Sequence, residues 1–213
     1  MTQDIYEPRE DSFLLLKCIS KHIKSKDKVL DIGTGSGILA IEASKIAKNV
    51  AASDINKDAI QKLKKNKNIK IKLIHSDLFK NIENRYFQVC SEAKLPASQK
   101  FANFLGCSEI KNFRHIKEKF DVIIFNPPYL PSEKIKDIAI DGGKNGTEII
   151  EKFLRGAKYH LNKNGKILLL CSSLNKNIKN LFKKYNYKFK KIASRKFFLE
   201  ELYVYLLSSS KNS

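Results

Sequence analysis

Apolar residues fall at Phe13, Leu16, Ile19 and Ile23 with lysines between them, so Asp11 to Ile23 is predicted to be an amphipathic helix following Pro8. Lys28 to Ile32 reads as a short strand that runs into a glycine-rich loop, Gly33 to Gly37, and Ile38 to Ala47 as a helix. Val50 to Asp54 is a second strand, Lys57 to Lys67 a very basic helix, and Ile69 to His75 a third strand. Phe120 to Phe125 is apolar on both faces, as the middle of a parallel sheet requires. Thr147 to Leu161 is a helix, Lys166 to Cys171 a strand, Asn175 to Lys184 a helix, and Tyr187 to Ala193 with Glu201 to Leu207 a closing antiparallel pair. Strands that alternate with helices in this way specify an α/β fold, a doubly wound and mostly parallel sheet. One stretch breaks the rhythm. Lys80 to Lys119 spans some 40 residues where a short connection is expected, and it reads as an insertion with helices near Gln99 to Leu105 and Ile110 to Lys117.

The 213 residues suit one domain with that insertion, and 42% hydrophobic residues make a globular chain. No apolar run is long enough to cross a bilayer, and Met1 to Glu10 is polar with acids rather than a signal peptide, so a cytoplasmic protein without a membrane partner is expected. Cys18, Cys90, Cys107 and Cys171 are widely spaced, with no Cys-x-x-Cys pair. They read as buried thiols, and no metal site is expected, although Cys90, Cys107 and His115 share one segment. The net charge of +19 would attract RNA, ribosomes or acidic proteins. Only five of the 41 basic residues are arginine, however, and the lysines are spread along the chain. Such a pattern lacks the bidentate forks that sequence readers use, and compositional bias explains it equally well.

Backbone-special residues are concentrated. Six of nine glycines lie in Gly33-x-Gly35-x-Gly37 and Gly142-Gly143-x-x-Gly146, and three of five prolines in Pro127-Pro128-x-x-Pro131. The first loop follows a strand and opens a helix, but Ile38 stands where the dinucleotide fingerprint needs its third glycine. Gly33, Thr34, Gly35 and Gly37, with Asp31 just ahead, suit S-adenosylmethionine instead, which has no pyrophosphate for a helix N-terminus to hold. Asp54 ends the second strand, where a carboxylate can accept both ribose hydroxyls. Asp77 follows the third strand and can accept the adenine amine while Leu78 covers the ring. A helix cap is the alternative for any one of these acids, but three at consecutive strand ends fit a ligand better.

Asn126-Pro127-Pro128-Tyr129 follows the apolar strand. The two prolines rigidify the loop, and their carbonyl oxygens are expected to point into the site. The Asn126 oxygen and the Pro127 carbonyl can accept both hydrogens of a planar amine, which localises its lone pair and aims it at a methyl carbon. Tyr129 can stack on the planar group. Asn126 has no titratable proton and is not a general base.

Together with Tyr6-Glu7-Pro8-Arg9-Glu10-Asp11-Ser12-Phe13, these elements resemble the HemK-like protein glutamine methyltransferases, in particular the small archaeal and eukaryotic branch. The resemblance runs from Tyr6 to about Leu207 and includes Asp141 to Gly146 and the closing Ser194-Arg195 and Glu200-x-Leu202-x-Val204. It implies a class I S-adenosylmethionine-dependent, Rossmann-like methyltransferase with a seven-stranded sheet whose last strand is antiparallel. The implied reaction is methylation of the Gly-Gly-Gln glutamine of a class I release factor. Ser12, Asp31, Gly33, Asp54, Asp77, Leu78 and Asn126 would contact the cofactor, and Tyr6, Pro8, Asn126, Pro127 and Tyr129 the substrate. A small zinc-binding activator is the implied partner, paired with the sheet edge at Ile69 to Ile74, whose alternation leaves an apolar row for an added strand. The insertion is longer than this family leads one to expect.

Two other classes compete. Asn-Pro-Pro-Tyr also serves adenine methyltransferases of RNA or DNA, which the charge favours and the lack of a recognition domain disfavours. A protein lysine is a lesser acceptor. A non-catalytic scaffold would not need the intact acids and loop.

Overall fold

The computed structural model describes residues 5–87, 113–132 and 139–210. In chain order the first part contains α1 (Glu10–His22), β1 (Lys28–Ile32), α2 (Ile38–Ser44), β2 (Asn49–Asp54), α3 (Lys57–Lys65) and β3 (Ile71–His75). Then come β4 (Glu83–Phe87), β5 (Phe113–Lys117), β6 (Phe120–Phe125) and α4 (Glu148–Ala157). The chain closes with β7 (Leu161–Ser172), α5 (Ile178–Lys184), β8 (Tyr187–Lys196) and β9 (Glu201–Ser209). Seven strands form one sheet in the order β3-β2-β1-β6-β7-β9-β8. The β3, β2, β1, β6 and β7 pairings are parallel, and β9 runs antiparallel to both its neighbours, β7 and β8.

Alternation along β6 sorts the core into two layers. Val122 and Ile124 join Leu15 and Ile19 of α1 and Leu39, Ala40 and Ala43 of α2 in one buried cluster. Phe125 faces the other way, onto Phe153 of α4, with ring centroids 4.5 Å apart, and Phe79 stacks on Phe153 at 5.5 Å. The helices α1 and α3 carry the charges their dipoles favour. In α1 these are Glu10 and Asp11 in the first turn and Lys21 and His22 in the last. In α3, Asn56 caps the N-terminus by accepting from the Asp58 and Ala59 amides, and Lys62, Lys64 and Lys65 close the last turn.

Residues Ile82–Glu118 make a separate compact unit, in which β4 and β5 pair antiparallel from Glu83 opposite Lys117 to Phe87 opposite Phe113. This corrects the helix expected at Ile110 to Lys117. Ile110, Phe113 and Ile116 are spaced like one face of a helix, but a partner strand distant in sequence takes the backbone hydrogen bonds, which local periodicity does not register. The helix expected at Gln99 to Leu105 lies outside the described residues, as do Cys90 and Cys107. Cys18 and Cys171 are buried free thiols. Among the described residues, no His, Cys, Asp and Glu cluster could hold a metal, and no helix is long and apolar enough to cross a membrane.

Phe153 has no exposed surface and joins the rings of Phe79 and Phe125. Phe153→Ala is expected to cost about 3–5 kcal/mol in urea unfolding, and a loss below about 1 kcal/mol would mean that this layer is not packed as described.

Candidate active site

β1 is where the sheet reverses its winding, with β2 on one side and β6 on the other. Ile32 lies opposite Ser53 and Phe125, and Asp54 opposite His75, so the residues that leave these strands emerge along one edge. Open α/β sheets bind ligands in that crevice.

Gly33, Gly35 and Gly37 all have positive φ, at 63°, 52° and 85°. Gly37 has a second reason to lack a side chain, because a Cβ there would come 2.5 Å from Leu63 Cδ2 of α3. Asp31 is fully buried; its Oδ2 accepts from Thr34 Oγ1 at 2.6 Å and from the Ala40 amide at 3.2 Å, while Oδ1 has no partner. Burial pushes the Asp31 carboxyl up to about 7, with the charge of Asp54 adding to the rise and the Thr34 and Ala40 hydrogen bonds opposing it. Asp54 accepts from the Asn56 amide at 2.8 Å and from the Gly35 amide at 2.7 Å, which ties the end of β2 to the glycine loop. At the end of β3, Asp77 pairs with Lys80 at 2.6 Å and is 44% exposed, so it faces solvent more than the other two acids do. Leu78 next to it holds φ at 49°, a left-handed conformation costly for a branched side chain. The turn is fixed by Ser76 Oγ, which donates to the Leu78 carbonyl and accepts from the Asn81 amide, each at 3.0 Å.

Asn126 follows β6. Its Nδ2 donates to Ser12 Oγ at 3.4 Å, and its Oδ1 is buried without a partner. Tyr6 and Tyr129 direct their hydroxyls to Asp11 Oδ2, at 2.6 and 3.5 Å. Burial, reinforced by Asp11, pushes both phenols up, so they stay protonated donors. The residue after the prolines is braced by a side chain from another part of the chain. Asn175 Nδ2 donates to the carbonyls of Tyr129, at 2.7 Å, and Gly146, at 3.0 Å, while its Oδ1 accepts from the Ser172 amide. The Tyr129 carbonyl is therefore taken up by this brace. Gly146, with φ of 65°, would drive a Cβ into the Tyr129 carbonyl, and one on Gly142 would lie 2.7 Å from the Pro128 carbonyl. The second glycine-rich stretch thus packs against the Pro-Pro loop.

The structure brings Asp31, Thr34, Gly35, Asp54 and Tyr6 together around the glycine loop, and Ser12, Asn126 and Tyr129 around Asp11. Two members were missed by sequence reasoning. Asp11 lies within the Tyr6 to Phe13 stretch but carries no local sign of its partners, and Asn175 reads as the start of a helix.

The residues fit the methyl donor. A buried carboxylate oxygen without a partner suits its ammonium, a carboxylate held at the next strand end suits its ribose hydroxyls, and the glycines leave backbone bare between them. This sheet order, with its antiparallel last strand, is that of the class I S-adenosylmethionine-dependent methyltransferases. The family model described as ribosomal protein L11 methyltransferase (PrmA) matches residues 12–126. "Putative protein N5-glutamine methyltransferase MJ0928" of Methanocaldococcus jannaschii is 38% identical over 181 residues, which cover 80% of this chain and 74% of that one. The match over residues 12–126 places the chain with the PrmA methyltransferases, and the longer match to the M. jannaschii relative places it in the HemK-like protein glutamine methyltransferase family. The release factor glutamine methyltransferase of Lactococcus lactis is 29% identical across 76% of this chain, which spans 54% of that enzyme's length. The Mtq2–Trm112 complex of E. cuniculi, responsible for the methylation of the eRF1 translation termination factor, matches with a TM-score of 0.65 over 98% of this chain and 100% of that one; at 24% identity this shows a shared fold.

The unfolded Asp31 loses its proton near pH 4 and the folded one near 7, so the stability of the protonated form is full below about 4 and is lost as pH rises through 7. Asp31→Asn cannot ionise. Its melting temperature relative to the parent is expected to rise between pH 5 and 8, and a difference that is flat with pH would show that Asp31 is not held in this way. Gly146→Ala should destabilise the fold by more than about 1 kcal/mol in the same assay, through strain at its left-handed φ and overlap with the Tyr129 carbonyl.

Proposed function

We propose that the protein transfers the methyl group of S-adenosylmethionine to the side-chain amide nitrogen of the glutamine in the Gly-Gly-Gln motif of a class I peptide chain release factor, in the cytoplasm. The observation that carries this reading is the buried, unpartnered Oδ1 of Asn126 at the head of a rigid Pro-Pro-Tyr loop. An amide nitrogen is a poor nucleophile because its lone pair is delocalised. Asn126 Oδ1 and the Pro127 carbonyl, by accepting its two hydrogens, concentrate that pair on nitrogen and fix its direction, while Pro128 stiffens the turn and Tyr129 stacks on the planar amide. When bound, S-adenosylmethionine supplies an electrophilic methyl on a sulfonium. In this reading Asp31, with Gly33, Thr34, Gly35 and Gly37, holds its amino-acid end, Asp54 its ribose, Asp77 and Leu78 its adenine, and Ser12 and Asn126 the region of the reacting methyl. Tyr6 and Pro8 line the approach of the substrate peptide.

The names of the M. jannaschii and L. lactis relatives support glutamine as the acceptor. The E. cuniculi complex supports a small activator partner, here pairing with the outer edge of β3, the terminal strand of the sheet. A nucleic-acid amine is the second reading, favoured by the charge of +19.

The deciding assay incubates the full chain and its activator with labelled S-adenosylmethionine and either release factor or RNA. Label on the release factor glutamine is expected, whereas label in RNA alone would overturn the reading. Asn126→Ala is expected to lower kcat about 100-fold or more, with cofactor affinity within about threefold. Asp54→Ala should instead weaken cofactor binding about 10- to 100-fold in calorimetry. The opposite pattern would exchange the two roles.

A further inference from the structure

We infer that Asp11 is a positioning residue: through Ser12 it fixes which end of the Asn126 carboxamide faces the reacting amine. This deepens the function proposed above and rests on it.

Asp11 lies in the first turn of α1 and is 3% exposed. Four donors converge on its two oxygens. Tyr6 and Tyr129 hydroxyls reach Oδ2, and the backbone amide and hydroxyl of Ser12 reach Oδ1, the hydroxyl at 3.2 Å. So large a demand for acceptors on one buried group is met by a carboxylate, which accepts without donating. The consequence passes outward. Ser12 has one hydroxyl hydrogen, and once Asp11 has taken it, Ser12 Oγ can only accept from other groups. Asn126, 3.4 Å away, must therefore turn its N–H₂ to Ser12. Its oxygen is left as the open end, and that is the atom found buried without a partner.

The orientation matters because the two ends of a carboxamide have nearly the same shape and opposite chemistry. Turned round, Asn126 would aim donors at the substrate's own N–H₂ and set oxygen against oxygen at Ser12. The chain Asp11, Ser12, Asn126 removes that alternative, and it needs only one hydrogen bond per link. Placing the relay on α1 also makes the site depend on the docking of the N-terminal segment, since Tyr6 and Ser12 both arrive with it. The Tyr6 carbonyl would lie 3.4 Å from a Cβ on Gly35, so that segment also abuts the glycine loop.

The test compares Asp11→Asn, Ser12→Ala and the double variant, in the full chain with its activator, on whichever acceptor takes the label. Glutamine amide and adenine amine both need an oxygen from Asn126, so failure of the glutamine reading leaves this test in force. An amide at position 11 can donate to Ser12 and release its hydrogen toward Asn126. Asp11→Asn is therefore expected to lower kcat about 100-fold while the cofactor dissociation constant stays within about threefold. The double variant should fall well short of the product of the two single losses, because Asp11 reaches Asn126 through Ser12. Ser12→Thr, which restores the hydroxyl, should recover at least about tenfold of the rate lost in Ser12→Ala, a comparison that holds even should Asp11→Asn fold poorly. The inference is overturned by an Asp11→Asn kcat within about threefold of the parent, by losses that multiply in the double variant, or by equal rates for Ser12→Thr and Ser12→Ala.

Discussion

The parallel register at β1 is the constraint on which the rest of the molecule depends. With Ile32 set opposite both Ser53 and Phe125, the chain leaving β1, β2 and β6 is delivered to one edge of the sheet, and Gly33, Asp54 and Asn126 become neighbours although they are far apart in sequence. Val122, Ile123 and Ile124 have no exposed surface, so β6 is buried on both faces at the middle of the sheet. The cost of the arrangement appears at the strand ends, where Asp31 Oδ1 and Asn126 Oδ1 are buried without partners. Polar atoms left so in a folded core oppose stability.

Much of this was legible in the chain. β1 and β6 have the bounds read from the sequence, because a central parallel strand is defined largely by its own composition. α1 differs by a single residue at each end from the span its periodicity predicts. Where prediction failed, the decisive partner was distant. β5 is a strand because β4 pairs with it, and β7 begins at Leu161 rather than Lys166, with Phe120 opposite that earlier start. The site divides in the same way. The strand-end acids and the Asn-Pro-Pro-Tyr turn are local patterns with local reasons. Asn175, 46 residues from the Tyr129 carbonyl it holds, and Asp11, 118 residues from the Tyr129 hydroxyl it receives, gain their roles only from the tertiary fold. The Gly142 to Gly146 stretch was visible as a special loop, but that its purpose is close packing against another loop was not.

The two edges of the sheet show what part of the charge does. β8 carries Lys188, Lys190, Lys191, Arg195 and Lys196 along an edge, the kind of decoration that keeps strands from adding. β3 at the opposite edge carries Lys72 alone within its five residues. Five of the basic residues thus guard one edge of the sheet, and the less guarded edge is the one proposed to receive an activator.

The most direct measurement is a structure of the chain bound to S-adenosylhomocysteine and a peptide bearing the acceptor glutamine. The account predicts the Asn126 side-chain oxygen within about 2.7–3.2 Å of the glutamine amide nitrogen, with the ligand's sulfur over the face of the amide in line with the nitrogen lone pair and its ribose at Asp54. A glutamine bound away from Asn126, or a crevice at the ends of β1 and β2 occupied by something other than the cofactor product, would contradict it.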